Sequence, residues 1–171
     1  MLSNLLIFRL LILNAIGVCL IIWGLTTGYV QQLVTGDTTG LPFVMGFLFL
    51  IGVGSTFVRA SKVGHGLNSI KNGGSFDASK LAIKNSHIGS IGSWLVTLGL
   101  IGNIVGFAMA VSNVDVTGGS DAALQAIGMM MDGMKVAFYN TLIGTALGLW
   151  VLFNYQILTT ATSLLEKDAA T

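Results

Sequence analysis

Four long stretches of this chain hold no formally charged residue: Leu10–Gly36, Thr38–Val58, Asn85–Val114 and Val136–Leu165. Crossing the ~30 Å hydrocarbon core of a bilayer takes about 20 apolar residues of α-helix, and each stretch supplies them. The pattern predicts an all-α integral membrane protein whose four transmembrane helices lie at about 8–28, 42–59, 88–113 and 127–160. A basic connection at about 60–87 joins spans two and three, and residues 1–171 form a single membrane domain. Runs three and four are thirty residues each, ~45 Å as helix, so these two spans are expected to protrude or tilt.

Composition agrees. Charged residues make up 9% of the chain, against ~25% in soluble domains, and the mean hydropathy is +0.83. With most of the chain in membrane, no soluble catalytic domain fits. There is no Cys/His metal spacing and no nucleophile–base arrangement, so we expect no enzyme, no cofactor and no metal. The net charge of +1 suggests no nucleic-acid partner. The single cysteine, Cys19, lies in an apolar run and reads as a small packed hydrophobe. The N-terminal apolar stretch is too long for a signal peptide and lacks a small-residue cleavage site, so it is read as a retained first helix.

The charges set an orientation. Arg59, Lys62, Lys71, Lys80 and Lys84 crowd the second connection beside Asp77, whereas the first holds only Asp37 and the third Asp115 and Asp121. Lys and Arg in short loops mark the cytoplasmic side, so both termini and the basic connection are expected there. Pro42 fits the first turn of span two. Asn72-Gly73-Gly74-Ser75 reads as a turn inside the basic connection, with Asp77 capping a short helix into span three. His65 and His87 read as solvated connection residues. Asp132 and Lys135, three apart, read as an interfacial ion pair.

Small and polar residues distinguish the last two spans. Gly99, Gly102, Gly106 and Ala110 recur at three- and four-residue steps in span three, as do Ala137, Thr141, Gly144 and Gly148 in span four. Such faces let helix backbones approach closely in lipid. Spans one and two are apolar around most of their circumference, which suggests an outer and an inner pair. Thr97 and Asn103 in span three, and Asn140, Thr141 and Thr145 in span four, carry groups that hydrocarbon does not satisfy. Two readings stay open: back-bonding to the helix's own carbonyls with interhelical Asn bonds, or a ring of hydroxyls lining a polar path in an oligomer. No Asp, Glu, Lys or His lies well inside any run, so the chain alone lacks the titratable group a proton pump needs.

The segments Thr97–Phe107 (TLGLIGNIVGF) and Gly133–Leu149 (GMKVAFYNTLIGTALGL) resemble the two signature helices of the MotA/TolQ/ExbB proton-channel family, from Leu95 to about Tyr155. Four spans with the basic connection between the second and third look like the flagellar-stator branch, as does Val136, where ExbB-like sequences place Glu. The resemblance implies a bacterial inner-membrane protein in which five copies ring two copies of a MotB/TolR/ExbD-like single-span subunit bearing a membrane Asp. Protons would pass by that Asp and the surrounding Thr hydroxyls and drive rotation. By position Thr141 matches the family's span-four Thr, and Asn103 stands where TolQ and ExbB carry the span-three Thr. The implied ion pathway is Thr141, Asn103, Thr145 and Thr97, packed on Gly99, Gly102, Gly106, Ala137, Gly144 and Gly148. The connection Arg59–Lys84 and the tail after Leu165 are smaller than the torque-generating domain of the flagellar branch, which points to a minimal motor serving a cell-envelope or accessory system, or to a phage-encoded relative.

Two other classes compete. A holin-like pore former or a scaffold would need no ion coupling and, as a pore, would permeabilise membranes without a partner. A small four-span carrier would place an acidic residue in span one, and Leu10–Gly36 has none.

Overall fold

The computed structural model describes residues 2–71, 78–112 and 119–169. Within them run five helices: α1 (Leu2–Thr26), α2 (Tyr29–Thr35), α3 (Leu41–Lys71), α4 (Ala78–Ser112) and α5 (Gly119–Ala169). All but α2 are long and apolar enough to cross a membrane. The chain is thus an all-helical, multi-pass membrane protein.

Helix ends follow local chemistry. Gly28, at φ +82°, separates α1 from α2 by adopting a left-handed conformation that side chains resist. Between α2 and α3 the Asp37 carboxylate accepts the backbone N–H of Thr39 at 3.0 Å and of Gly40 at 2.9 Å. That turn delivers the chain to Leu41-Pro42, where the proline needs no N–H partner.

Helices α3, α4 and α5 extend past the expected span limits. The basic connection expected at about 60–87 is helical over most of its length, because α3 continues to Lys71 and α4 starts at Ala78. His65 and His87 therefore sit exposed on helices, not in a loop. The Asn72–Ser75 turn and Asp77 lie outside the described residues. Span four was expected from about 127, yet α5 begins at Gly119 and runs 51 residues, ~76 Å. Charge-free runs stop at a charge, but a helix does not. Asp132 and Lys135 ride on α5 without interrupting it, and Ala122, Ala123, Leu124, Gln125 and Ala126 are good helix formers. Asp121 in the first turn also complements the helix dipole. Lys135 is not paired with Asp132; its Nζ lies over the Tyr139 ring, 5.6 Å from the centroid.

The helices α4 and α5 form the most intimate pair. α3 packs on both of them, and α1 packs on α3 and α5. Leu10, Met45, Ile88, Leu95, Val151 and Leu158 fill the centre with no exposed surface. Two hydrogen bonds between distant segments mark the depth of the bundle. Asn140 Nδ2 donates to Asp37 Oδ1 at 2.7 Å near one end, and Asn85 Nδ2 donates to Thr162 Oγ1 at 3.2 Å near the other. They stand 22 residues apart along α5, about 33 Å, close to the thickness of a bilayer core. Charged Asp37 and Lys84 adjoin the two levels. Beyond Asn140, α5 continues roughly 30 Å toward Gly119, and there exposes Ile127, Met129, Met130 and Met131.

Candidate ion-pathway face

The seam between α4 and α5 is made of absent side chains. A Cβ on Gly144 would stand 2.6 Å from Gly99 Cα and 2.7 Å from the Leu95 carbonyl oxygen. Backbone meets backbone here, so no rotamer change could make room. Further along, Gly106 lies against the Ala137 backbone, and Gly102 accepts the side chain of Asn140, whose Cβ would be 2.5 Å from an added methyl. Gly148 meets Val96 and the Gly92 carbonyl. Sequence reasoning placed Gly99, Gly102, Gly106, Ala137, Gly144 and Gly148 on packing faces, and the structure puts all six in one contact line. It missed two members, Gly92 against Leu152 and Gly133 against Ala110. Gly92 stands seven residues before Gly99 and Gly133 four before Ala137, and that spacing was the available signal.

The polar candidates divide. Thr141, half-buried, donates to the Ala137 carbonyl at 3.1 Å and stands 3.5 Å from the Gly99 carbonyl oxygen, so it lies on the seam. Thr145 is half-buried one turn further along the same helix. Thr97 is exposed and donates to the Ser93 carbonyl at 2.9 Å. It belongs to the outward surface of α4, away from the glycines. The buried Asn103 Oδ1 has no hydrogen-bond partner. Back-bonding, the plainer of the two readings, thus describes the hydroxyl hydrogens of Thr97 and Thr141.

Asn140 is fully buried and held from two directions. Its Nδ2 donates to Asp37 Oδ1 and, at 3.2 Å, to the Val136 carbonyl, which leaves Oδ1 without a donor. The connection between spans one and two therefore reaches α5 directly, as Gly36 against Tyr139 also shows.

A second polar cluster escaped sequence reasoning. Asn14 Nδ2 donates to Asn154 Oδ1 at 2.7 Å, and Trp150 Nε1 donates to Asn14 Oδ1 at 3.0 Å. The spare protons go to the Leu10 and Trp150 carbonyls at 2.8 and 2.9 Å. Gly17 leaves space that the Trp150 ring occupies. The signal was an Asn in an otherwise apolar span one and another deep in span four, since lipid satisfies neither.

With α1 and α3 occupying one side, the α4–α5 pair shows its other side free. Leu100, Ile104 and Val111 of α4, and Leu142, Leu149 and Phe153 of α5, are exposed there. Fold and site together define a multi-pass membrane protein built on a glycine-seamed helix pair with hydroxyls along its edge. The MotA/TolQ/ExbB proton channel family matches residues 68–170, and the chain belongs to that family. The match covers all of α4 and the whole described length of α5, with their junction to α3; α1 and α2 lie outside it. No curated protein and no solved structure matches the chain.

Proposed function

We propose that the chain is the ring-forming subunit of a proton-driven membrane motor, with the free α4–α5 face turned toward a central partner helix that carries a membrane Asp. The observation behind this reading is the coincidence of two facts. The family match covers α4 and α5, and their outward face is the part of the pair that α1 and α3 leave uncovered among the described residues. A lone copy would expose that face, with Thr141 and Thr145 at its edge; a ring of copies encloses it. No spanning run of the sequence contains a carboxylate, so the acid that binds and releases the proton comes from the partner. Thr141 and Thr145 then offer hydroxyl oxygens to that acid, while the Asn103 carbonyl oxygen is enclosed within the chain and has no partner there. Five copies around two partner helices would leave the two symmetries mismatched, so each protonation would find a neighbouring subunit poised for the next step.

Basic residues Arg59, Lys62 and Lys84 sit toward one end of the bundle and Asp37 at the other, which supports cytoplasmic termini in a bacterial inner membrane. The mass of the purified complex in nanodiscs tests the ring. Five copies plus a single-span subunit are expected; a strict monomer, or an even-numbered ring lined by α1 and α3, overturns the reading. Dye release from cells expressing this chain alone separates it from the holin-like alternative, since a closed ring without its partner does not leak.

A further inference from the structure

Ser86, Ser90, Ser93 and Thr97 follow one another on α4 at steps of four, three and four residues, and all are exposed. That spacing puts them on one face of the helix, opposite the seam of Gly92, Gly99 and Gly106. They lie between Asn85, which marks the basic end of the bundle, and Gly102, which packs at the level of Asn140. Past Thr97 the same face turns apolar, with Leu100 52%, Ile104 69% and Val111 65% exposed. α5 changes character too, nearer the basic end. Leu142, Leu149 and Phe153 give way to exposed Gln156, Thr160 and Ser163, and Gly89 against Tyr155 aligns that change with Ser86 and Ser90. A face turned to lipid alone has no reason to change from apolar to hydroxyl halfway along.

The hydroxyl hydrogens are already committed. Ser86 donates to the Ile83 carbonyl at 2.8 Å, Ser90 to Ser86 at 3.4 Å, Ser93 to Gly89 at 3.2 Å and Thr97 to Ser93 at 2.9 Å. Each oxygen therefore turns lone pairs outward and acts as an acceptor. Neighbours at such spacing stand about 5–6 Å apart on a helix, a gap that a single bridging water closes. At the basic end His87, three residues before Ser90, flanks the row. Its Nδ1 lies 2.5 Å from the Lys84 carbonyl oxygen; a carbonyl only accepts, so Nδ1 carries the proton and Nε2 is left as an acceptor.

We propose that this row is the inner leg of the ion path. Thr97, Ser93, Ser90 and Ser86 hold a single file of water along the free face, and the file carries a proton from the level of Thr141 and Thr145 to His87 at the basic end. Each water takes a proton from one neighbour and gives one to the next, so the chain itself ends every passage unchanged. The proposal rests on the free face lining the ring.

Cysteine reactivity tests it without knowing the partner. In a Cys19→Ala background, Ser86→Cys, Ser90→Cys, Ser93→Cys, Thr97→Cys and the control Ile104→Cys are expressed in the native host. Inverted membrane vesicles are then treated with a membrane-impermeant methanethiosulfonate cation. Thiols react as thiolates in water, so the four row positions are expected to label about tenfold or more faster than position 104. Equal rates overturn the inner leg. The double variant Ser90→Ala/Ser93→Ala should lower vesicle proton uptake several-fold while the mass of the complex stays constant; unchanged uptake overturns it as well. Thr141→Ala separates the two readings. A slow-labelling row with uptake lost in Thr141→Ala removes only the inner leg, whereas uptake indifferent to Thr141→Ala removes the channel reading on which it rests.

Discussion

The two sides of α5 treat polar groups in opposite ways. On the side facing α1 and the α2–α3 turn, Asn154, Trp150 and Asn140 donate to side chains of other segments, at 2.7 to 3.5 Å. On the free side, Thr160 and Ser163 donate only to their own helix, at 2.9 and 3.1 Å. The first arrangement fixes where helices sit. An amide in hydrocarbon must find a partner, and few positions allow both halves to match. The second fixes nothing and leaves oxygen lone pairs facing outward. In a membrane protein, polar residues that reach across to another segment read as structure. Those that bond back and face out are available to something else.

This contrast can be broken deliberately, and the largest effect is expected at the seam that carries both sides. Gly144→Leu drives a side chain into Gly99 and the Leu95 carbonyl, and should destabilise the bundle by about 3 kcal/mol or more in reversible unfolding in bicelles. Gly46→Leu, where an added carbon meets nothing within 4 Å, should stay within about 0.5 kcal/mol. A similar loss at both glycines would show that close approach is not what the seam provides.

Asp37→Ala removes an acceptor shared by two backbone N–H groups and by Asn140, and an expected loss of about 2 kcal/mol follows from hydrogen bonds to a charged group. Unfolding of Asp37→Ala and Asn140→Ala singly and together would show whether the turn and α5 act as one. Strict additivity would mean that the bond between them contributes nothing.

Asn154→Leu leaves Asn14 without its best acceptor and should cost about 1 kcal/mol, with a comparable coupling to Asn14→Leu in a double-mutant cycle. The smallest change in stability is expected at the edge of the seam. Thr141→Ala should move unfolding by no more than about 0.5 kcal/mol, while abolishing ion-driven output measured with the complex intact. A protein that unfolds readily but still works would place Thr141 with the structural groups instead.

Much of this architecture can be read without coordinates, and the misses share a cause. Four spans and the glycine faces of α4 and α5 follow from spacing along single helices, because lipid leaves an isolated helix few options. Helices outrun the expected limits where charge stands in for a helix end: Arg59 and Lys62 sit inside α3, Lys84 inside α4 and Asp121 inside α5. Asn14 and Asn154 stayed out of view because each looks like a lone polar residue until α1 and α5 are placed side by side, 140 positions apart in sequence. Asp37 was read as a loop charge, and nothing local says that it reaches Asn140.

By itself, then, the order of residues determined that this is a multi-pass membrane protein with four helices apolar enough to cross and a close-packing pair among them, since hydropathy and helical periodicity act within one segment. Tertiary structure alone decided which polar groups lock helices together and which stay turned outward. That choice depends on what stands opposite each side chain, and a hydrogen bond needs both its ends in place before either has a meaning.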